Sequence, residues 1–152
     1  MEEAYETLSE PVRRFVDPLE AVHSAASAYD PRTTGDAKYK GDAPITYTYS
    51  EKIYEEVVHP VVRTHAESGK RSLYVNPMFT QRVVGLEGHE SRALLDLLFA
   101  HAVRPEFTAR VRWAPGSLTL WDNRSVQHYA IDDYEGFERV MYRVTLEGER
   151  PV

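Results

Sequence analysis

Three side chains near the end of this 152-residue chain have the types needed to hold a metal ion beside an anion: His128, Arg139 and Arg143. A neutral imidazole is the commonest protein metal ligand. Arginine is planar, permanently charged and matched to bidentate recognition of carboxylate or phosphate. Arg143 stands fifteen residues after His128 and shares one strand face with Arg139, Met141 and Thr145, on the period-two alternation of a strand. Two arginines on one face require an anion. The spacing leaves two readings open: a metal next to a bound carboxylate, or a turn histidine with arginines paired to Asp132, Asp133 or Glu138.

The elements that must position these residues run from Trp113 to Arg143. Ala114-Pro115-Gly116 is a turn built from the strongest backbone punctuators. Ser117 to Trp121 alternates polar and apolar and predicts a half-buried strand, stopped by Asp122-Asn123-Arg124. After the acidic loop 132–136, residues 139–146 predict a second strand, with Val140, Tyr142, Val144 and Leu146 on the face opposite the arginines.

Upstream, residues 3–28 read as helix in two pieces: one capped by Ser9 with Pro11 in its first turn, one started by Asp17-Pro18 and carrying the stripe Ala21, Val22, Ala25, Ala26. Pro31 to Pro44 is a polar loop, Thr46–Tyr49 is too short to assign, and Ser50-Glu51 starts a further helical turn. Residues 59–64 and 72–76 predict a hairpin around Glu67-Ser68-Gly69-Lys70. Within it, His65-x-Glu67 has the residue types of a metal pair, although a two-residue pattern has low specificity. Residues 88–102 are the clearest helix: Leu94, Leu95, Leu98, Phe99 and Ala102 recur at 3.6-residue spacing, with Glu90, Arg92 and Asp96 outward.

Length allows one domain, residues 1–152. A hydrophobic content of 42% with 28% charged residues fits a globular chain. A net charge of −6 excludes a general nucleic-acid or membrane-surface role, both of which need basic patches. Cysteine is absent, which rules out disulfides and thiolate chemistry. The N-terminus lacks the apolar core of a signal peptide and no apolar run is long enough to span a membrane, so cytoplasm is the expected location.

WDNR-x-x-QH-x-A-x-x-DY (residues 121–134), with an arginine fifteen residues after the histidine, resembles the C-terminal signature of the Fe(II)/2-oxoglutarate-dependent dioxygenases of the taurine dioxygenase and 2,4-dichlorophenoxyacetate dioxygenase family. The likeness extends to HPVVRTHAESGKRSLYVNPMFT (59–80), GHESRALLDLLFAH (88–101), RPEF (104–107) and the opening AYETLSEPVRRF. It implies an α+β, mainly β fold: part of a double-stranded β-helix, or jelly roll, with residues 1–58 as helical insert and loop and 59–152 as jelly-roll strands with one helix. It implies Fe(II) as metal and 2-oxoglutarate as co-substrate, which is decarboxylated to succinate while dioxygen hydroxylates a small anionic compound such as a sulfonate. In that pattern His128 matches the distal iron ligand, Arg143 the arginine that binds the far carboxylate of 2-oxoglutarate, and Arg139 a second arginine beside it. Asn76, Phe79 and Trp121 are candidates for the cavity wall.

The sequence departs from the family at one point. The His-x-Asp pair of the two-histidine, one-carboxylate triad precedes the helical insert, and this sequence begins inside that insert. His65 falls in a hairpin well downstream of that pair. The expectation is therefore a half-site, completed in a homo-oligomer of identical chains or by a complementary N-terminal half. The alternative is a non-catalytic remnant that retains an anion-binding arginine site.

Overall fold

The computed structural model describes residues 1–30, 50–131 and 133–152. The expected loop 31–44, the segment 46–49 and the candidate arginine partner Asp132 lie outside them. Two short helices open the chain, α1 (Glu2–Glu6) and α2 (Glu10–Val16); Ser9 is the N-cap of α2 and Pro11 lies in its first turn.

The second expected helix is a strand instead. Asp17 ends α2, and β1 (Glu20–His23) follows at once, with only the four-residue α3 (Ala26–Tyr29) beyond it. Spacing could not separate these outcomes, because two adjacent apolar residues, Ala21 and Val22, fit either period. Tertiary pairing decides. Glu20–His23 is the centre of a three-stranded antiparallel sheet, flanked by β2 (Val57–Pro60) and β5 (Thr80–Val83), with Val22 opposite both Val58 and Arg82. Ser50 caps a 3-10 turn over Glu51–Tyr54 with its side chain, where a helical start was expected.

The predicted hairpin forms in shortened register. β3 (Val62–Thr64) pairs with β4 (Arg71–Leu73), placing Arg63 opposite Ser72. Gly69 closes its turn at φ +69°, a region open to glycine without a Cβ penalty. His59 and Pro60, expected in this hairpin, belong to the other sheet. Val61 makes the switch: its N–H donates to Leu19 and its carbonyl accepts from Tyr74.

Helix α4 spans Gly88–Ala102, as its periodicity predicted, with a capping box between Glu87 and Glu90. Its buried Leu95 and Leu98 join Ala4, Tyr5 and Leu8 of the N-terminal helical segment and Val61, Val62, Leu73, Val75 and Val83 in one core. Ser91 Oγ accepts from the Val83 N–H at 2.8 Å, and His101 Nε2 donates to the Ala4 carbonyl at 2.8 Å, so both ends of the helix are tied down.

After Val83 no residue among those described is paired in a sheet. The turns predicted for this region do form: the Ser117 N–H donates to Ala114 across Pro115-Gly116, and those of Ser125 and Val126 donate to Asp122. The expected strands 117–121 and 139–146 stay unladdered, with Leu118, Leu120, Tyr142 and Val144 all more than 85% exposed. Helix therefore outweighs strand among the described residues, against the mainly β expectation. The reason is physical: a turn satisfies its own backbone groups, whereas a strand needs a neighbour.

Candidate metal and co-substrate site

The segment that carries His128 is laid against the β3–β4 hairpin by side chains from both. Asp122 begins it. The Asp122 carboxylate accepts two parallel bonds from the Arg124 guanidinium, Nε to Oδ1 at 2.9 Å and Nη2 to Oδ2 at 2.7 Å, and its Oδ1 also takes the Arg124 N–H. The Arg124 guanidinium and then the His65 ring hold the Asp122 carboxyl well below the usual carboxylate range. Ser125 and Val126 close the turn on the Asp122 carbonyl. Gln127 follows directly, and its Nε2 donates to the Val75 carbonyl at 2.7 Å. Ser72 Oγ adds a longer bond to the Arg124 carbonyl at 3.4 Å.

His128 itself is exposed and packs its ring on Trp121, with centroids 4.7 Å apart. Two residues singled out from sequence are thus brought together. Trp121 Nε1 donates to Asn123 Oδ1 at 2.9 Å, which fixes the indole plane at the turn. Among the described residues, the donor atoms that gather closely enough to share a metal ion belong to His65, Glu67 and Asp122, all within 4.8 Å of one another, and not to His128. That group is already filled. His65 Nδ1 lies 3.3 Å from the N–H groups of Glu67 and Ser68 and from Glu67 Oε2, and its Nε2 lies 3.0 Å from Asp122 Oδ2. Arg124 lies across both carboxylates, with Nη2 2.8 Å from Glu67 Oε2. The ring and Arg124 already pair with both carboxylates, so the three residues form an ion-pair network rather than an open-faced metal site.

Arg139 and Arg143 are exposed. The Arg139 guanidinium lies 5.0 Å from the centre of the Tyr134 ring, a cation–π contact. Among the described residues neither arginine is ion-paired to Asp133 or Glu138, so the alternative reading of acidic partners finds no support at those two positions.

Asn76 and Phe79 lie in one turn before β5. Asn76 Oδ1 accepts the N–H groups of Met78 and Phe79 at 3.0 and 2.8 Å, which makes Asn76 a turn former. Phe79 lines a cleft of about 240 Å³ together with His23, Ser24, Ala25, Lys52, Glu55 and Val57. Sequence reasoning did not single out His23, Arg63 or Asp122 as functional residues. His23 is buried beside His59 and Tyr74, and burial, followed by the nearby His59, lowers it to about 4. Burial likewise pushes His59 down. Arg63 is buried under the Tyr74 ring and pairs with Glu149 at 2.8 Å.

Comparison with known proteins supplies the family. The chain belongs to the taurine catabolism dioxygenase TauD, TfdA family, whose pattern matches residues 1–145. It is 41% identical over 154 residues to an alpha-ketoglutarate-dependent sulfate ester dioxygenase of Pseudomonas putida, covering 98% of this chain and 48% of that enzyme. It is 35% identical to an alpha-ketoglutarate-dependent sulfonate dioxygenase of Saccharomyces cerevisiae, covering 99% of this chain and 34% of that one. Among solved structures, a taurine dioxygenase from Burkholderia xenovorans superposes with a TM-score of 0.56 at 38% identity, over 75% of this chain and 32% of that chain. The chain thus spans less than half the length of these relatives.

Proposed function

We propose that the chain forms the C-terminal half of an Fe(II)- and 2-oxoglutarate-dependent dioxygenase that hydroxylates a small sulfonate or sulfate ester in the cytoplasm. The observation that carries this is the placement of His128 on a braced turn against Trp121, followed by two arginines free of acidic partners among the described residues. The names of the relatives support the anionic substrate class. His128 supplies one iron ligand, and a second histidine and a carboxylate come from outside the described residues, from identical chains or from a complementary N-terminal half. Bound Fe(II), chelated by 2-oxoglutarate, would supply dioxygen activation, one oxygen atom going to succinate as carbon dioxide leaves and the other to the hydroxyl gained by the substrate. Arg143 holds the far carboxylate of 2-oxoglutarate, the end away from the metal, and Arg139 lies beside the co-substrate. Residues 117–121 and 139–146 enter the jelly roll as strands once neighbours cover their exposed apolar faces.

A chimera tests this, with the chain in place of the matching 48% of the Pseudomonas putida enzyme. Arg143→Ala and Arg139→Ala should each weaken 2-oxoglutarate or substrate binding at least tenfold, while Arg82→Ala, at an exposed position of β5, should change neither. The separate titrations of co-substrate and substrate assign the two arginines. Equal, small effects from all three substitutions would refute the anion-site reading.

A further inference from the structure

The ring nitrogens of His65 are fixed by their neighbours. Nδ1 lies 3.3 Å from the N–H groups of Glu67 and Ser68 and 3.3 Å from Glu67 Oε2. Nε2 faces Asp122 Oδ2 at 3.0 Å, and a carboxylate oxygen can only accept, so Nε2 carries a proton. His65 is itself buried, and the Lys70 carbonyl takes its backbone N–H at 2.8 Å, so the imidazole projects from a rigid hairpin turn. Asp122 is the first residue of the turn that leads to His128. Its backbone carbonyl takes two N–H groups of that turn, and its side chain grips Arg124. Arg124 in turn reaches Glu67 and Glu149, and Glu149 is held by buried Arg63 of β3.

We infer that His65 is a positioning residue: its Nε2–H bond to Asp122 sets the turn that presents His128, and it is not a metal ligand. This rests on the proposed role of His128 and extends it to a residue 63 positions earlier on another element. Polar groups that orient a metal ligand matter nearly as much as the ligand, because they fix the geometry into which the ion must fit. His65 acts one step further out, through Asp122 and the backbone between Asp122 and His128.

Long-range proton–nitrogen NMR on the intact chain tests this without any metal. His65 should show a protonated Nε2. The His128 ring protons should carry an upfield shift from the Trp121 ring that packs on them. In His65→Ala that shift should collapse, and amide exchange over residues 123–127 should accelerate at least tenfold, while exchange in Gly88–Ala102 stays unchanged. His65→Gln, which keeps an N–H donor near the Nε2 position, should restore both signals. Should His65→Ala fail to fold, Asp122→Ala removes the same bond from the other side, with the same expectation for His128. A bare Nε2, an undisturbed His128 shift in both Ala variants, or a Zn(II)-induced shift at the His65 nitrogens would overturn the inference. Loss of 2-oxoglutarate binding in the chimera would instead count against the proposed function and leave these signals as they are.

Discussion

His23 makes stability depend on pH in a direction and window that the structure defines. The ring is 6% exposed on the central strand β1, against His59 at 5.5 Å and Tyr74 at 6.1 Å between ring centroids. Nδ1 lies 3.3 Å from Thr80 Oγ1, and Nε2 has no partner among the described residues. The charges that bear on the pair are those of Arg63 and Arg150, which act on His59 and disfavour a further proton. Burial, then His59, brings His23 from 6.5 down to about 4. The unfolded chain therefore binds this proton more tightly than the folded one, so the stability the neutral ring contributes is present above about 6.5 and is lost as pH falls toward about 4. At ~1.4 kcal/mol per pH unit for one proton, the loss amounts to about 3 kcal/mol, a large share of the ~5–15 kcal/mol of a typical domain. Urea unfolding at constant slope, followed from about pH 7.5 to about pH 4.5, measures it. His23→Gln should be less stable at the upper end of that range but should lose roughly one proton's worth of the pH dependence. An identical pH dependence in the variant, or a His23 ring that titrates near 6.5 by NMR, would rule out a ring held neutral by burial.

Other expectations follow from burial and pairing. Leu98→Ala empties a fully buried position on α4 and should cost about 2–5 kcal/mol in urea unfolding; a change below ~1 kcal/mol would show that α4 does not close the core. Arg63→Ala should cost about 3 kcal/mol, and Arg63→Met less than half of that, because an apolar isostere keeps the Tyr74 contact and removes the charge. Glu149→Ala should cost less than Arg63→Ala, since it removes no buried side chain.

What could be read in the sequence was what depends on local chemistry. The α4 helix was readable to the residue because its apolar period and the following Pro105 agree. The turns at Pro115-Gly116 and Asp122–Arg124 were readable because their bonds close within four residues. Glu20–His23 was misread because its two adjacent apolar residues, Ala21 and Val22, fit helix or strand, and only the flanking β2 and β5 decide. Residues 117–121 and 139–146 carry a strand pattern with no strand partner among the described residues, so pattern and structure part there. For the candidate site, His128 and Trp121 were singled out by motif, whereas the contact of His65 with Asp122 was not, since a bond across 57 positions leaves no trace in spacing. The Asp-Asn-Arg tripeptide after Trp121 was the one available signal, and it read only as a turn.

An anaerobic titration of Fe(II) and 2-oxoglutarate, followed through the weak visible charge-transfer band of the chelate, bears most directly on the proposed half-site. It is made on the chain alone, on the chimera with the N-terminal part of the Pseudomonas putida relative, and on the chimera carrying His128→Ala. No band is expected from the chain alone; the chimera should give one and lose it with His128→Ala. A folded chimera without the band, or a band that survives His128→Ala, would contradict the assignment of His128 as the iron ligand this chain supplies.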